Sequence, residues 1–231
     1  MQRRTKIIFR TSLALNLLVA GGMLLAWAFH NPLYRTFLHP RVTAARLAWF
    51  EEFPVTKSSI VFLGDSLTQQ GSWSEMFPGI ETRNRGIGGD QTRDVLARLG
   101  EVIRAQPPRI LLLIGTNDLA FGVAETKLLK NFSEILERLE RESPTTEVVV
   151  QGLLPREPVW APAIARVNLA MAKRTARGGH AFIDPGRVLA AADGSLRPEM
   201  TWDGLHLLAP GYAAWRKVLE PWVRAPLPDL Q

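Results

Sequence analysis

The sequence predicts an α/β protein built on a mainly parallel sheet of five strands, with helices on both faces. From about residue 58 onward, short apolar runs alternate with longer segments of helical periodicity, which is the pattern of strand–helix–strand units. Two of the runs, RILLLIG from Arg109 and EVVVQGLL from Glu147, are apolar throughout their centres. Strands that are covered on both faces have this composition, so the observation favours a parallel sheet.

The predicted elements follow one another in regular order. Strands are predicted at about 59–63, 81–85, 109–114, 147–153 and 180–184. Helices are predicted at 91–105, 125–141, 161–177 and 209–223, where apolar residues recur at helical spacing. Sheets of this kind bind ligands at the carboxyl ends of their strands, so we expect a functional site there.

The N-terminal segment has the features of a membrane anchor. A basic start, MQRRTKIIFR, precedes a stretch without charge from Thr11 to Phe29. An apolar helix of about 20 residues spans a bilayer, so residues 1–29 are expected to form a transmembrane helix with the basic flank in the cytoplasm. A cleaved signal sequence is the alternative, since AWA at residues 26–28 suits a signal peptidase. Either way, the domain is expected on the exported, periplasmic or extracellular side.

A connector at residues 30–57 separates this segment from the domain at residues 58–231. Within the connector, Val42, Ala45, Trp49, Phe50 and Phe53 recur at helical spacing and predict a short amphipathic helix. We expect this helix to pack on the domain. A position on the lipid surface stays open as an alternative, because two arginines, at 41 and 46, lie on the same segment.

Charge and composition limit the classes of function. The net charge of +6 belongs to the N-terminal part of the chain, because the first 50 residues contain seven basic residues and no acidic ones. The remainder is nearly neutral, which argues against a nucleic-acid-binding face. The absence of cysteine excludes a thiol nucleophile, a zinc–thiolate site and disulfides.

Four polar turns follow strands or precede the last helix. They read GDS at residues 64–66, NRGIGGD at 84–90, GTND at 115–118 and TWDGLH at 201–206. Because parallel strands end on the same rim of a sheet, these turns are expected to converge.

The side chains in these turns suit a hydrolytic site. Such a site needs a nucleophile, a base, a group that orients the base, and donors for an oxyanion. Ser66 supplies a hydroxyl, and His206 is the only one of the four histidines in such a turn. Asp203 lies close enough in sequence to orient the imidazole. The Asn117 side chain and the backbone N–H groups of Ser66 and Gly89 are candidate oxyanion donors.

Ser66 also has a purely structural interpretation. A serine followed three residues later by a glutamine, here Gln69, matches the capping box of a helix N-terminus. The other candidate residues are equally common in ordinary turns when each is taken alone. Their joint occurrence at consecutive strand ends favours the functional interpretation.

Competing motifs are incomplete. The GIGGDQ segment lacks the third glycine of a dinucleotide fingerprint, and no phosphate-binding loop is present. Thr68 replaces the second glycine of a Gly-x-Ser-x-Gly elbow. Asp203 and His206 alone are too few ligands for zinc. We therefore expect neither a cofactor nor a metal.

The four motifs together resemble the SGNH hydrolases, the GDSL family of esterases and lipases. The blocks GDSL, GTND and DGLH, with Gly89 between the first two, occur in the family's order over about residues 58–223. The resemblance implies a flavodoxin-like, three-layer α/β/α sandwich, with Ser66 as nucleophile, His206 as base and Asp203 as its partner. It also implies Ser66, Gly89 and Asn117 as oxyanion donors. NRGIGGDQT and DGLHLLAPGYAAW are most similar to the branch of platelet-activating-factor acetylhydrolase-like and carbohydrate acetylesterase-like members.

We therefore expect a serine esterase that hydrolyses a short-chain ester. The expected substrate is an acetyl ester of an envelope carbohydrate. A lysophospholipid or similar lipid ester is the alternative substrate, and an inactive glycan- or lipid-binding module is the alternative from another class. Transfer of the acyl group to a sugar would use the same residues. Arg156, after the fourth strand, is expected to be a solvated surface residue, and the aromatic residues near the motifs are expected in the core. The oligomeric state is not predicted.

Overall fold

The computed structural model describes Ser12, Asn16, Val19 and residues 33–227. The chain divides into two compact units, residues 1–42 and 43–231. In the first unit, a π-helix covers Tyr34–Leu38. The sequence-based boundaries after residues 29 and 57 stay predictions.

The prediction of an N-terminal transmembrane helix has to be corrected. Most of residues 1–32 lie outside the described part of the chain, and among the described residues no helix is long and apolar enough to cross a membrane. The prediction used the basic start and a charge-free run from Thr11 to Phe29, whose length is at the lower limit for a span. The exported location of the domain stays a prediction.

The predicted parallel sheet is confirmed. Its strands are β1 (Ile60–Gly64), β2 (Thr82–Gly86), β3 (Arg109–Leu113), β4 (Glu147–Gln151) and β5 (Ala181–Ile183). All pairs are parallel, in the order β2-β1-β3-β4-β5. Gly64 at the end of β1 is in register with Gly86 of β2 and Leu113 of β3. The GDS, NRGIGGD and GTND turns therefore leave the sheet side by side.

Long and short helices connect the strands. They are α1 (His39–Glu52), α2 (Ser66–Gln69), α3 (Trp73–Met76), α4 (Thr92–Ala105), α5 (Thr116–Ala120), α6 (Glu125–Glu142), α7 (Ala161–Arg177), α8 (Gly186–Leu189) and α9 (Ala209–Arg224). Short 3-10 turns cover Pro158–Trp160 and Pro198–Met200. The four predicted long helices correspond to α4, α6, α7 and α9.

Alternation along the strands produces two cores and hence three layers. In β3, Ile110 and Leu112 belong to one buried cluster, together with side chains of α4, α6 and α7. Leu111 and Leu113 belong to a second cluster on the opposite face, which contains Trp215 and other side chains from α3, α8 and α9. Successive strand residues point to opposite faces, so the continuously apolar runs supply both cores. This confirms the predicted α/β/α sandwich.

The α1 residues after position 42 belong to the second unit and contact the β2 strand. Arg46 donates hydrogen bonds to the main-chain carbonyls of Gly86 (3.1 Å) and Asn84 (3.3 Å). Phe50 is buried, whereas Trp49 and Phe53 stay exposed and contact each other. The Arg46 side chain therefore binds protein carbonyls.

Candidate active site

The turn after β1 places Ser66 at the start of the short helix α2. The residue that caps this helix is Asp65, whose Oδ1 accepts the backbone N–H of Leu67 at 3.0 Å. The predicted capping box of Ser66 and Gln69 is therefore wrong, since Gln69 Oε1 accepts the backbone N–H of Gly88 at 2.6 Å. A capping pattern is easily shifted by one residue when two possible caps are adjacent. The Ser66 hydroxyl is consequently not used for capping.

Polar contacts from other elements fix α2. Asn84 Nδ2, in β2, lies 3.0–3.1 Å from the carbonyls of Thr68, Gln69 and Gly71. Gly86 allows this close approach, because a Cβ there would lie 2.2 Å from the Gln69 nitrogen. No sequence motif pointed to the role of Asn84, which depends on the pairing of β1 with β2.

Tyr212, in the last helix, contacts the same short helix. Its hydroxyl donates to the Leu67 carbonyl at 2.8 Å. Burial and then the nearby Asp65 charge raise the pKa of Tyr212, so the hydroxyl stays protonated and can donate at neutral pH. The short helix α2 is thus held from both the sheet and α9.

Asp65 is a buried acid next to the candidate nucleophile. Its exposed fraction is 0%, and its Oδ2 has no hydrogen-bond partner in the described part of the protein. Burial raises the pKa of Asp65 to about 7, with contributions in the same direction from Asp90 and Asp118 and opposing ones from the Leu67 N–H and Arg156. The protonated form of this carboxyl is therefore well populated at neutral pH.

The loop at residues 201–206 carries the candidate base and is held by its own hydrogen bonds. An isolated bridge pairs Thr201 with Leu207 and closes the loop. Asp203 Oδ1 accepts the backbone N–H groups of Leu205 (3.0 Å) and His206 (2.7 Å). The Thr201 hydroxyl donates to the His206 carbonyl at 2.7 Å. The loop holds the His206 imidazole next to the Ser66 hydroxyl.

Three side chains form a continuous hydrogen-bonded chain. His206 Nδ1 lies 2.7 Å from Asp203 Oδ2, and His206 Nε2 lies 3.0 Å from Ser66 Oγ. Since a carboxylate only accepts, Nδ1 carries the proton, which leaves Nε2 free to accept from the serine hydroxyl. The structure therefore brings together Ser66, His206 and Asp203.

The Asp203 carboxylate is suited to this position. Partial burial acts to raise its pKa, but hydrogen bonds from the His206 ring and from two backbone N–H groups outweigh burial and hold the pKa below its usual value. The group is therefore ionised at neutral pH and accepts the hydrogen bond of the His206 ring.

The remaining candidates, Gly89 and Asn117, lie in turns that are linked to each other. Asn117, in α5, is buried and donates from Nδ2 to the Asp90 carbonyl at 2.9 Å. Gly89 precedes Asp90 and has a φ of 82°. Gly88 in turn binds Gln69 of α2, so both turns border the helix that begins with Ser66. Asn117 has a second N–H on Nδ2 that this bond does not use.

Asp118, next to Asn117, has a structural role. It accepts the Thr92 backbone N–H at 2.9 Å and the Thr92 hydroxyl at 2.6 Å. Burial raises its pKa, against the Thr92 hydrogen bonds. The carboxyl therefore joins α5 to the first residue of α4.

Arg156 differs from the prediction of a solvated residue, because it is only 7% exposed. Its Nη1 is 3.4 Å from the Thr116 hydroxyl, its Nε is 3.2 Å from Glu157, and its guanidinium lies over the Trp160 ring. Glu157 lies against Gly204 of the loop at residues 201–206, where a Cβ would be 3.2 Å from Glu157 Cγ. The turn after β4 thus lies between α5 and the loop at 201–206.

The aromatic residues near the motifs divide into two groups. Trp73 and Phe77 are buried in the second core, as predicted. Trp202 is 67% exposed, and its ring lies nearly parallel to that of His206, at 16° with 5.8 Å between centroids. The prediction of a core position is therefore wrong for Trp202.

Comparison with known proteins assigns the family. Residues 62–214 match the GDSL-like lipase/acylhydrolase family. The chain belongs to this family. It is accordingly a hydrolase that acts on ester bonds, and the predicted SGNH resemblance is confirmed.

Relatives of this hydrolase include platelet-activating factor acetylhydrolases. The IB subunit alpha1 of Bos taurus is 34% identical over 165 residues, which cover 66% of this chain and 69% of that protein. A solved structure from Streptococcus pneumoniae named for platelet activating factor has 26% identity and a TM-score of 0.71, covering 89% of this chain and 99% of that one. An acetylxylan esterase from Geobacillus stearothermophilus shares the fold, with a TM-score of 0.59 at 15% identity over 74% of this chain and 95% of that one.

Proposed function

We propose that the protein hydrolyses a short-chain carboxylic ester by way of an acyl-enzyme on Ser66. The observation that supports this most directly is the hydrogen-bonded chain from Asp203 through His206 to the Ser66 hydroxyl. Nucleophile, base and orienting group are then present at the distances that proton transfer needs.

The mechanism has two halves. Ser66 Oγ attacks the ester carbonyl while its proton passes to His206 Nε2, and Asp203 stabilises the imidazolium. The carbonyl oxygen becomes an oxyanion that accepts hydrogen bonds from the backbone N–H groups of Ser66 and Gly89 and from the Asn117 side chain. Loss of one such donor typically raises the barrier by about 3 kcal/mol. His206 then gives its proton to the leaving alcohol oxygen, which leaves the acyl group on Ser66.

Water completes the cycle. His206 takes a proton from water as the water oxygen attacks the acyl carbon, and the second oxyanion collapses with return of the proton to Ser66 Oγ. The products are a carboxylic acid and the free enzyme. The hydrolase family to which the chain belongs makes an inactive binding module the weaker alternative.

We propose acetyl as the acyl group and a carbohydrate as the alcohol part of the substrate. The acetyl group is supported by relatives named acetylhydrolases. The same relatives support a lipid ester as the second candidate, because platelet-activating factor gives them their name. Under this proposal the substrate is an ester at the cell envelope.

Turnover of 4-nitrophenyl esters of increasing chain length tests the proposal. We expect acetate to be hydrolysed fastest, with Ser66→Ala and His206→Ala each lowering kcat by about 10⁴-fold or more. A fluorophosphonate probe should label the wild type and fail to label Ser66→Ala. Ser133→Ala, which changes a serine of α6, is the matched control and should behave as wild type. Equal turnover by wild type and Ser66→Ala would refute the proposal.

A further inference from the structure

We propose that Trp202 is a binding platform for the alcohol part of the substrate, and that this part is a sugar ring. Because this assignment rests on the proposed hydrolysis at Ser66, it deepens that function by naming the residue that binds the leaving group. The Trp202 indole is the exposed aromatic ring that lies directly beside His206.

The location of Trp202 follows from the proton transfer. The leaving alcohol oxygen receives its proton from His206 Nε2, so the rest of the alcohol must lie next to the imidazole. The Trp202 and His206 rings are nearly parallel, with centroids 5.8 Å apart. A ring-shaped alcohol bound there would reach the imidazole and the indole together.

Trp202 is the most exposed tryptophan among the described residues. Trp73 and Trp215 are 2% and 0% exposed, whereas Trp202 is 67% exposed on a loop held by local hydrogen bonds. Large aromatic side chains are normally used to bury apolar surface. An indole kept at the surface beside a reacting group is better explained by a ligand that covers it.

The surroundings of the indole favour a carbohydrate over a lipid chain. A pyranose has a face of C–H groups that packs on an aromatic ring, and a rim of hydroxyls that needs hydrogen-bonding partners. The Glu157 side chain, 46% exposed, lies against Gly204 of the same loop and offers such a partner. Asp203 is also partly exposed there. A long apolar group would instead lie beside the partly exposed Glu157 carboxylate without any polar atom to bind it.

The test compares two substrates that share the acetyl group. We would measure kcat/KM for an acetylated xylo-oligosaccharide and for ethyl acetate, whose alcohol has no ring, with the full chain, its Trp202→Ala and Trp202→Phe variants, and Trp49→Ala. The ratio of the two kcat/KM values, sugar ester over ethyl ester, should fall about tenfold in Trp202→Ala. Trp202→Phe should restore most of the ratio because it keeps an aromatic face.

Trp49→Ala is the matched control. Trp49 is likewise exposed, at 55%, but it lies on α1 and contacts Phe53. The ratio should not change in this variant. A parallel fall for both substrates in Trp202→Ala would show that Trp202 only orients His206, and would overturn the platform. An unchanged ratio would overturn it as well.

A binding measurement separates this inference from the proposed hydrolysis. Calorimetric titration of the Ser66→Ala protein with the acetylated oligosaccharide should show binding that weakens about tenfold when Trp202→Ala is added. Equal binding by the single and double variants would refute the platform even if Ser66 is the nucleophile. Full activity of Ser66→Ala would refute the hydrolysis while leaving the binding result to be judged separately. Selective turnover of a lipid acetyl ester over the sugar ester would overturn the carbohydrate assignment.

Discussion

The turn that carries Ser66 and the loop that carries His206 are held in place by different means. The residues on either side of Ser66, Asp65 and Leu67, are 0% and 1% exposed and lie between the sheet and α9. The side chains of His206 and Asp203 are 20% and 27% exposed. Their loop is fixed by hydrogen bonds between its own residues.

This difference predicts how changes in each region act. The position of Ser66 depends on the packed strands, so changes in its surroundings should alter the free energy of unfolding. The position of His206 depends on six residues at the surface, so changes in the loop should reduce catalysis while the fold survives. Three substitutions test this separation, in order of decreasing expected effect.

The largest effect is expected for Asp203→Asn. The asparagine can still accept the backbone N–H groups, but its amide N–H₂ would face His206 Nδ1 and favour the tautomer in which Nε2 carries the proton. Nε2 could then no longer accept the Ser66 proton, so kcat should fall about 10³- to 10⁴-fold. Esterase kinetics and thermal unfolding of the same sample measure both quantities.

Asp193→Asn is the control for this substitution, because Asp193 accepts the Ser195 backbone N–H in a similar exposed turn. Activity and melting temperature should both stay close to wild type in that variant. A large loss of melting temperature in Asp203→Asn would contradict the local character of the histidine loop.

The second effect concerns stability and is expected for Asp65→Asn. The Asp65 pKa is about 7 in the folded protein, above its ordinary value of 3.8. The folded state therefore binds a proton that the unfolded state releases between about pH 4 and pH 7, so this group's contribution to stability decreases as pH rises through that window. The free energy of unfolding of Asp65→Asn, measured relative to that of wild type, should therefore increase by a few kcal/mol as the pH rises from 5 to 8.

Urea unfolding at several pH values measures this difference. Asp193→Asn again serves as a control, since hydrogen bonds from Ser195 lower the pKa of Asp193. A lowered pKa affects stability only in the acid range, so this variant should parallel wild type from pH 5 to pH 8. Parallel curves for Asp65→Asn and wild type would show that Asp65 ionises normally in the folded protein.

The smallest effect is expected for Gly204→Ala. Gly204 has a φ of 83°, and a Cβ there would lie 3.2 Å from Glu157 Cγ. Alanine at such a φ costs roughly 1–2 kcal/mol, and the loop must also move away from Glu157. Because His206 is two residues further on, a displacement of its ring by less than about 1 Å should lower kcat about tenfold.

Gly179→Ala separates strain from the Glu157 contact. Gly179 has a φ of 73°, with nothing within 4 Å of the added Cβ. Gly179→Ala should lose about as much stability as Gly204→Ala, while its kcat stays unchanged. Equal kcat values for the two glycine variants would show that the loop tolerates displacement.

The sequence predicted those features that depend on local pattern. The strands and long helices were placed within a few residues because periodicity and apolar runs are local signals. The placement of Ser66, Gly89 and Asn117 followed from the rule that parallel strands end on one rim. Asp203 and His206, which precede the last helix, were chosen for their chemistry and for the resemblance to the SGNH hydrolases. The structure brings Ser66, Asp203 and His206 into hydrogen-bonding contact.

The features that were missed depend on contacts between distant segments. Asn84 is recognisable as the residue that binds three carbonyls near α2 only when β1 and β2 are paired. Arg156 is buried in part because the turn after β4 folds onto Thr116 of α5, a contact that the sequence around Arg156 does not reveal. The exposure of Trp202 contradicts the expectation that aromatic residues near the motifs lie in the core, which was based on the general tendency of large apolar side chains to be buried.

The α1 contact has a consequence for self-association. The β2 strand is at the end of the sheet, where unpaired main-chain groups can accept a strand from a second molecule. Arg46 already occupies the carbonyls of Asn84 and Gly86 on this strand. Residues 43–52 of α1 therefore cover part of an open sheet edge. We expect a recombinant protein that starts at residue 58 to self-associate more readily than one that keeps these residues.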